Sequence, residues 1–116
     1  MSTIYHMALA SRWQTWPQNT PYLPEAYADD GFIHCTAGDA LMIKVANTFY
    51  RSVPGTFLAL VVETGLLTSR LEWEAPSPGD QLAPTFPHIY GPINLDAIVD
   101  VKTMVRDAAG TFIAIR

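Results

Sequence analysis

The sequence predicts an α+β fold, and three stretches carry that prediction. Residues 37–51 repeat apolar side chains at Leu41, Met42, Val45, Ala46, Phe49 and Tyr50, which is helical spacing with one buried stripe. Residues 56–63 hold the continuous apolar run Phe57 to Val62, of strand length and suited to a strand covered on both faces. Residues 98–106 alternate polar and apolar, and a turn at 107–110 returns the chain along 111–115 as a closing hairpin.

In chain order, residues 3–9 form a first strand that is apolar enough to lie inside a sheet and that carries His6. Ser11 is placed to cap a short helical turn through Arg12, Trp13 and Trp16, and Pro17 ends it. A brief helix is expected over 24–29, with Pro24 in its first turn. Phe32 and Ile33 are strand formers that lead to His34, and Thr36 with Asp39 three residues later has the pattern of a helix N-cap with an acidic residue in the first turn. On the helix that follows, Lys44 and Asn47 should face water. A further strand is expected over 69–74. Residues 75–87 hold four prolines and a glycine, and they should form a semi-rigid rim beside His88. In 98–106, Val99, Val101 and Val105 fall on one face, and Asp100, Lys102 and Arg106 on the other.

Residues 1–116 read as one domain, long enough to bury its own core. Charged residues make up only 16% of the chain and the net charge is -4, a balance that disfavours a protein built to grip a nucleic-acid backbone. Cys35 is the lone cysteine, so there is no disulfide framework and a reducing compartment fits. No apolar run is long enough to span a bilayer, and the N-terminus lacks a secretory pattern. A cytoplasmic location is therefore expected.

The three histidines, His6, His34 and His88, each lie in a strand-like apolar context, which argues for a shared pocket, since imidazole serves acid–base, hydrogen-bonding and metal roles near neutral pH. Metal binding is disfavoured because no two histidines share a short ligand spacing, and Cys35 should point away from the His34 side of its strand. Tyr90 follows His88 by two residues and shares its face, while Trp13 lies near the His6 end of the first strand. The structural alternative is that each imidazole satisfies a buried carbonyl.

Three segments, IYHMA near the start, DGFIHCT before the long helix and FPHIYGPI before the last strands, closely resemble a small bacterial family designated domain of unknown function nine-five-two. The resemblance runs nearly the whole length. It implies a fold similar to the ADP-ribosyltransferases, a split antiparallel sheet around an NAD cleft with a few helices. In that superfamily a first-strand histidine or arginine holds a ribose hydroxyl, a second-strand aromatic or histidine borders the nicotinamide, and a third-motif glutamate stabilises the reacting ribose. By this resemblance His6 takes the first role and the His34 to Thr36 segment the second. FPHIYGPI offers His88 and Tyr90 where many transferases show a glutamate, and Glu74 is the nearest acidic candidate.

The resemblance therefore implies His6, His34, His88 and Glu74 as catalytic candidates. It implies His6, Trp13, His34, Thr36, His88 and Tyr90 around NAD or an ADP-ribose-like nucleotide, with the helix start after Thr36 favouring phosphate. The implied activity is ADP-ribosyltransferase-like transfer or NAD glycohydrolysis. The alternative is a non-catalytic module that binds a small nucleotide-like ligand, or histidines that are purely structural.

Overall fold

A computed structural model of the chain describes residues 2–75 and 85–116. The elements, in order, are β1 (Thr3–Leu9), α1 (Ala10–Gln14), α2 (Tyr27–Asp30), β2 (Ile33–His34), α3 (Asp39–Phe49), β3 (Phe57–Glu63), β4 (Arg70–Glu74), β5 (Phe86–Tyr90), β6 (Ile98–Arg106) and β7 (Phe112–Ile115). The strands form two antiparallel sheets, one in the order β1-β3-β6-β7 and the other β2-β5-β4. This is an α+β architecture with few helices. Among the described residues, no helix is long and apolar enough to cross a membrane.

The apolar run in β3 explains the layering. It has strand neighbours on both sides, β1 and β6, and its alternating residues enter two separate cores. Leu60 and Val62 join Ile4, Tyr22, Ile33, Ile89 and Ile93 on the side of the smaller sheet. Phe57, Ala59 and Val61 join Met42, Ala46, Met104 and Phe112 on the side of α3. A strand buried on both faces has no polar position to spare, which is why its sequence reads as unbroken hydrophobicity.

Several local expectations are corrected. Thr36 does not cap the helix: its amide and carbonyl are both taken by backbone hydrogen bonds with Tyr5, each 2.8 Å, and the first intrahelical bond, from the Met42 amide, goes to the carbonyl of Gly38. The helix instead begins at Asp39 behind Gly38, whose φ of 90° suits a residue without Cβ, and no side chain caps it. Likewise α1 starts at Ala10 with Leu9 before it, so Ser11 lies inside the helix and caps nothing. The second helix is shifted later than 24–29 and ends at Gly31, which adopts the left-handed conformation common at helix C-termini. Lys44 is exposed, whereas Asn47 is half-buried and its side-chain amide pairs with the backbone of Phe112 in both directions, at 2.9 and 2.7 Å.

The two faces of β6 are also reassigned. Its buried residue is Met104, in step with Lys102, while Val99 and Val101 are 51% and 39% exposed. The cause is tertiary: α3 covers the Met104 side, and an irregularity opposite Val61 and Val62 shifts the register. Arg106 uses this position as a clasp. Its guanidinium donates to the carbonyls of Val53, Gly55, Arg51 and Gly110 at 2.8 to 3.2 Å and lies 4.4 Å over the Phe112 ring. It thus ties the end of α3 to the β6–β7 turn. A lysine has one donor centre where arginine has a planar fork. Arg106→Lys is accordingly expected to lower stability by about 2 kcal/mol in urea denaturation, in the range of hydrogen bonds made by a charged donor. An unchanged midpoint would mean that water replaces the fork at no cost.

Candidate functional site

His6 lies on the inner edge of β1, facing the chain that leaves β2. The bridge between Tyr5 and Thr36 brings these segments together and places His6 Nδ1 2.8 Å from the carbonyl oxygen of His34. A carbonyl only accepts, so Nδ1 carries the proton and Nε2 is left as a lone-pair acceptor. Burial lowers the His6 pKa to about 4, against the opposing pull of the His34 carbonyl, so the ring is neutral at physiological pH. His6 Nε2 is buried, and among the described residues it has no hydrogen-bond partner. Buried polar atoms are seldom left this way.

His6 lines a cavity of about 110 Å³ together with His34, Thr36 and Phe32, and Met7, Met42, Val45 and Tyr50 supply apolar wall. These wall residues come from β1 and from α3 and its end, so the cavity opens at the seam where the helix, the large sheet and the small sheet meet. Tyr5 anchors that corner by donating its hydroxyl to Asp39 at 2.5 Å, a contact that raises the Tyr5 pKa to about 12.

The outer face of the small sheet continues from His34. In the register of β2, β5 and β4, His34 lies opposite His88, His88 opposite Glu72, and Tyr90 opposite Arg70. The His34 ring is exposed, with Nε2 3.1 Å from Asp30, and it stands 5.5 Å from the His88 ring. His88 is buried, stacked 4.2 Å from Phe32, with Nδ1 2.9 Å from Glu74 Oε1. Tyr90 donates its hydroxyl to that same carboxylate oxygen, and the Arg70 guanidinium lies 4.3 Å over its ring. The Tyr90 bond, and after it the His88 bond, hold the Glu74 carboxyl below its ordinary pKa, while the same carboxylate raises that of Tyr90.

The expected site residues therefore fall into two groups and a remainder. His6, His34 and Thr36 share the cavity, while His88, Glu74 and Tyr90 form a hydrogen-bonded cluster one ring beyond it, behind Phe32. Trp13 belongs to neither: it packs edge-on to Tyr22 at 5.5 Å beside Trp16, and Tyr22 is what touches His6, at 5.8 Å. Cys35 is buried on the opposite side of its strand from exposed His34, and burial raises its thiol pKa. Of the expected rim over 75–87, residues 76–84 lie outside the described residues. Sequence reasoning missed Phe32, Asp30 and Arg70. Phe32 was within reach, since it precedes His34 by two and shares its face; the others need the helix end and the strand register.

Residues 7–101 match the family described as protein of unknown function, DUF952. The chain belongs to the DUF952 family. Among solved structures, it is similar to protein CC0527 from Caulobacter crescentus, with 26% identity, a TM-score of 0.77, and coverage of 99% of this chain and 94% of that one. A double mutant of CC0527 matches with 25% identity, a TM-score of 0.76 and the same coverage. No curated protein matches the chain.

The neutral, buried state of His6 carries a pH signature. Folded, it titrates near 4, against 6.5 for the ordinary value. Between those values the unfolded chain holds the extra proton, so stability falls as pH drops below about 6.5 and the loss levels off below about 4. The loss expected is on the order of 3 kcal/mol. Urea denaturation between neutral and acid pH should show this slope, and His6→Gln, which cannot titrate, should flatten it. An unchanged slope in the variant would assign the acid sensitivity to other groups.

Proposed function

We propose that this DUF952 chain binds a nucleotide of the NAD or ADP-ribose class at the seam between β1 and β2. In this reading His6 accepts a hydrogen bond from a ribose hydroxyl, and the chain acts as an ADP-ribosyltransferase-like transferase or NAD glycohydrolase. The observation that carries it is the buried Nε2 of a neutral His6 that lines a cavity and, among the described residues, has no hydrogen-bond partner. A neutral imidazole whose proton is committed elsewhere can only accept at its second nitrogen, and a sugar hydroxyl is the donor that such an atom suits. The split of the strands into two antiparallel sheets around the cavity is consistent with the ADP-ribosyltransferase-like fold that belongs to this proposal.

Size sets how a dinucleotide would lie. Sites for drug-sized ligands are roughly 300–1,000 Å³. A cavity of about 110 Å³ takes one ring, a ribose or a pyridine, so the remainder lies along the exposed rim at His34. Among the described residues no lysine or arginine lines the cavity, and the diphosphate is therefore expected outside it, in contact with water. When bound, NAD supplies the scissile bond between ribose and nicotinamide. Thr36 and His34 border the ring, and Met7 and Met42 exclude water from it. The same features suit a non-catalytic binding module, which differs only in lacking turnover.

The test pairs stability with affinity. NAD or ADP-ribose at a hundredfold excess over its Kd should stabilise the fold by about 2.7 kcal/mol, seen as a raised melting temperature. The His34 side chain is 60% exposed, so His34→Ala should keep its denaturant midpoint within about 0.5 kcal/mol while losing affinity. If neither nucleotide raises the melting temperature of the parent chain, the nucleotide reading falls.

A further inference from the structure

A sheet is open to pairing with another chain wherever its last strand turns backbone groups outward, so each edge needs a partner or a guard. Among the described residues the edges are β1 and β7 in the larger sheet, and β2 and β4 in the smaller. The edge of β1 and the chain leaving β2 pair with each other at Tyr5 and Thr36. Strand β4 carries Arg70, Glu72 and Glu74, and charge along an edge discourages a second strand. Strand β7 has neither protection. Its residues, Phe112, Ile113, Ala114 and Ile115, include no charge and no proline, and Ile113 is 54% exposed.

The hydrogen bonds to β6 decide which groups of β7 face outward. Thr103 and Arg116 exchange both backbone bonds, and the Asp107 amide donates to the Thr111 carbonyl. In an antiparallel ladder bonded pairs alternate with unbonded ones, so the residues next in line, Ile115 and Phe112, turn their amides and carbonyls away from β6. Ile113 is the extra residue between them, where the register steps from Val105 opposite Ala114 to Arg106 opposite Phe112.

At Phe112 the outward groups are already taken. The Asn47 side chain, on α3, donates its amide N–H to the Phe112 carbonyl at 2.9 Å, and its oxygen accepts from the Phe112 amide at 2.7 Å. A side-chain amide offers the same donor and acceptor as a peptide group. Asn47 thus fills the place that one residue of a neighbouring strand would take.

We propose that the outer edge of β7 is a pairing surface for a second copy of this chain, and that Asn47 holds it shut. The occupant follows from the strand itself. When two copies of β7 lie antiparallel about a two-fold axis, Phe112 of each meets Ile115 of the other, and both outward sets of donors and acceptors are matched. The uncharged residues between them then meet their own kind without like-charge repulsion. With Asn47 in place, Phe112 has no group left to offer and the two-fold pairing cannot form. None of these residues lines the cavity, so the surface stands independently of the nucleotide reading.

An amide that only anchored α3 to β7 would make the same two bonds, but its loss would lower the melting temperature and leave the mass unchanged. The experiment measures mass by light scattering against protein concentration, folding by circular dichroism, and amide exchange by NMR. It compares the parent chain with Asn47→Ala, with Asn47→Leu, which keeps the shape of asparagine without its hydrogen bonds, and with Asn47→Ala combined with Ile113→Lys. The parent should keep the mass of one chain at every concentration, with the Phe112 amide protected. Asn47→Ala, or Asn47→Leu if the alanine variant does not fold, should approach twice that mass as concentration rises, and its Ile115 amide should become protected. Adding Ile113→Lys should return the mass to one chain, since a lysine on an edge strand opposes pairing. A parent already dimeric with Ile115 protected, folded Asn47 variants that stay at the mass of one chain, or a dimer that Ile113→Lys does not disperse would each overturn the proposal. Failure of both Asn47 variants to fold would make Asn47 an obligatory anchor and overturn it as well.

Discussion

The pair of backbone hydrogen bonds between Tyr5 and Thr36 is the constraint on which the site depends. It joins the edge of the large sheet to the chain that has just left the small one. From this one junction three consequences follow. His6, next to Tyr5, meets the carbonyl of His34, two residues before Thr36. The Thr36 carbonyl is committed to Tyr5, so α3 makes its first hydrogen bond to the Gly38 carbonyl and begins at Asp39. Asp39 then arrives beside the Tyr5 hydroxyl, which fixes the helix over the cavity. A buried backbone segment must have its donors and acceptors paired, and here that requirement also builds the wall of a pocket.

The imidazoles are differentiated by surroundings rather than by sequence context. All three follow or lie within apolar strands, yet His6 is buried against a carbonyl, His34 stands in water beside a carboxylate, and His88 is buried against one. Burial keeps the charged form of His6 disfavoured, so the same residue type is a neutral acceptor in one place and a carboxylate-bound ring in another. Phe32 divides the two environments. It lines the cavity with His6 and His34 and stacks on His88 at its other side.

The core explains why these positions are stable enough to hold. Leu60 and Val62 on one face of β3, and Phe57, Ala59 and Val61 on the other, place the strand between two apolar layers, so neither sheet can slide without exposing one of them. The small sheet contributes Ile33 and Ile89 inward, and alternation then forces His34, His88 and Tyr90 outward. Its outer face is thus polar as a direct result of how its inner face is buried.

Local pattern was sufficient for the strands at β1, β3, β4 and β7 and for the extent of α3, because periodicity and apolar run length are properties of neighbouring residues, although Phe49, expected in the buried stripe of that helix, is 68% exposed. It was also sufficient to place His88 and Tyr90 on one face and Cys35 opposite His34, which needs only the strand period. It failed at Thr36, where a long-range backbone pairing overrode an apparent cap, at Asn47, whose partner Phe112 is distant in sequence, and on β6, where the position of α3 decides which face is buried. Trp13 looked close to His6 along the chain, but Tyr22 packs between them. The sequence by itself determined the main strands, the body of the long helix and the strand contexts of the imidazoles, but not where the helices begin. Only the tertiary structure decided which imidazole is neutral, which is exposed and which is carboxylate-bound, because solvation and hydrogen-bond partners come from segments that meet only when the two sheets close.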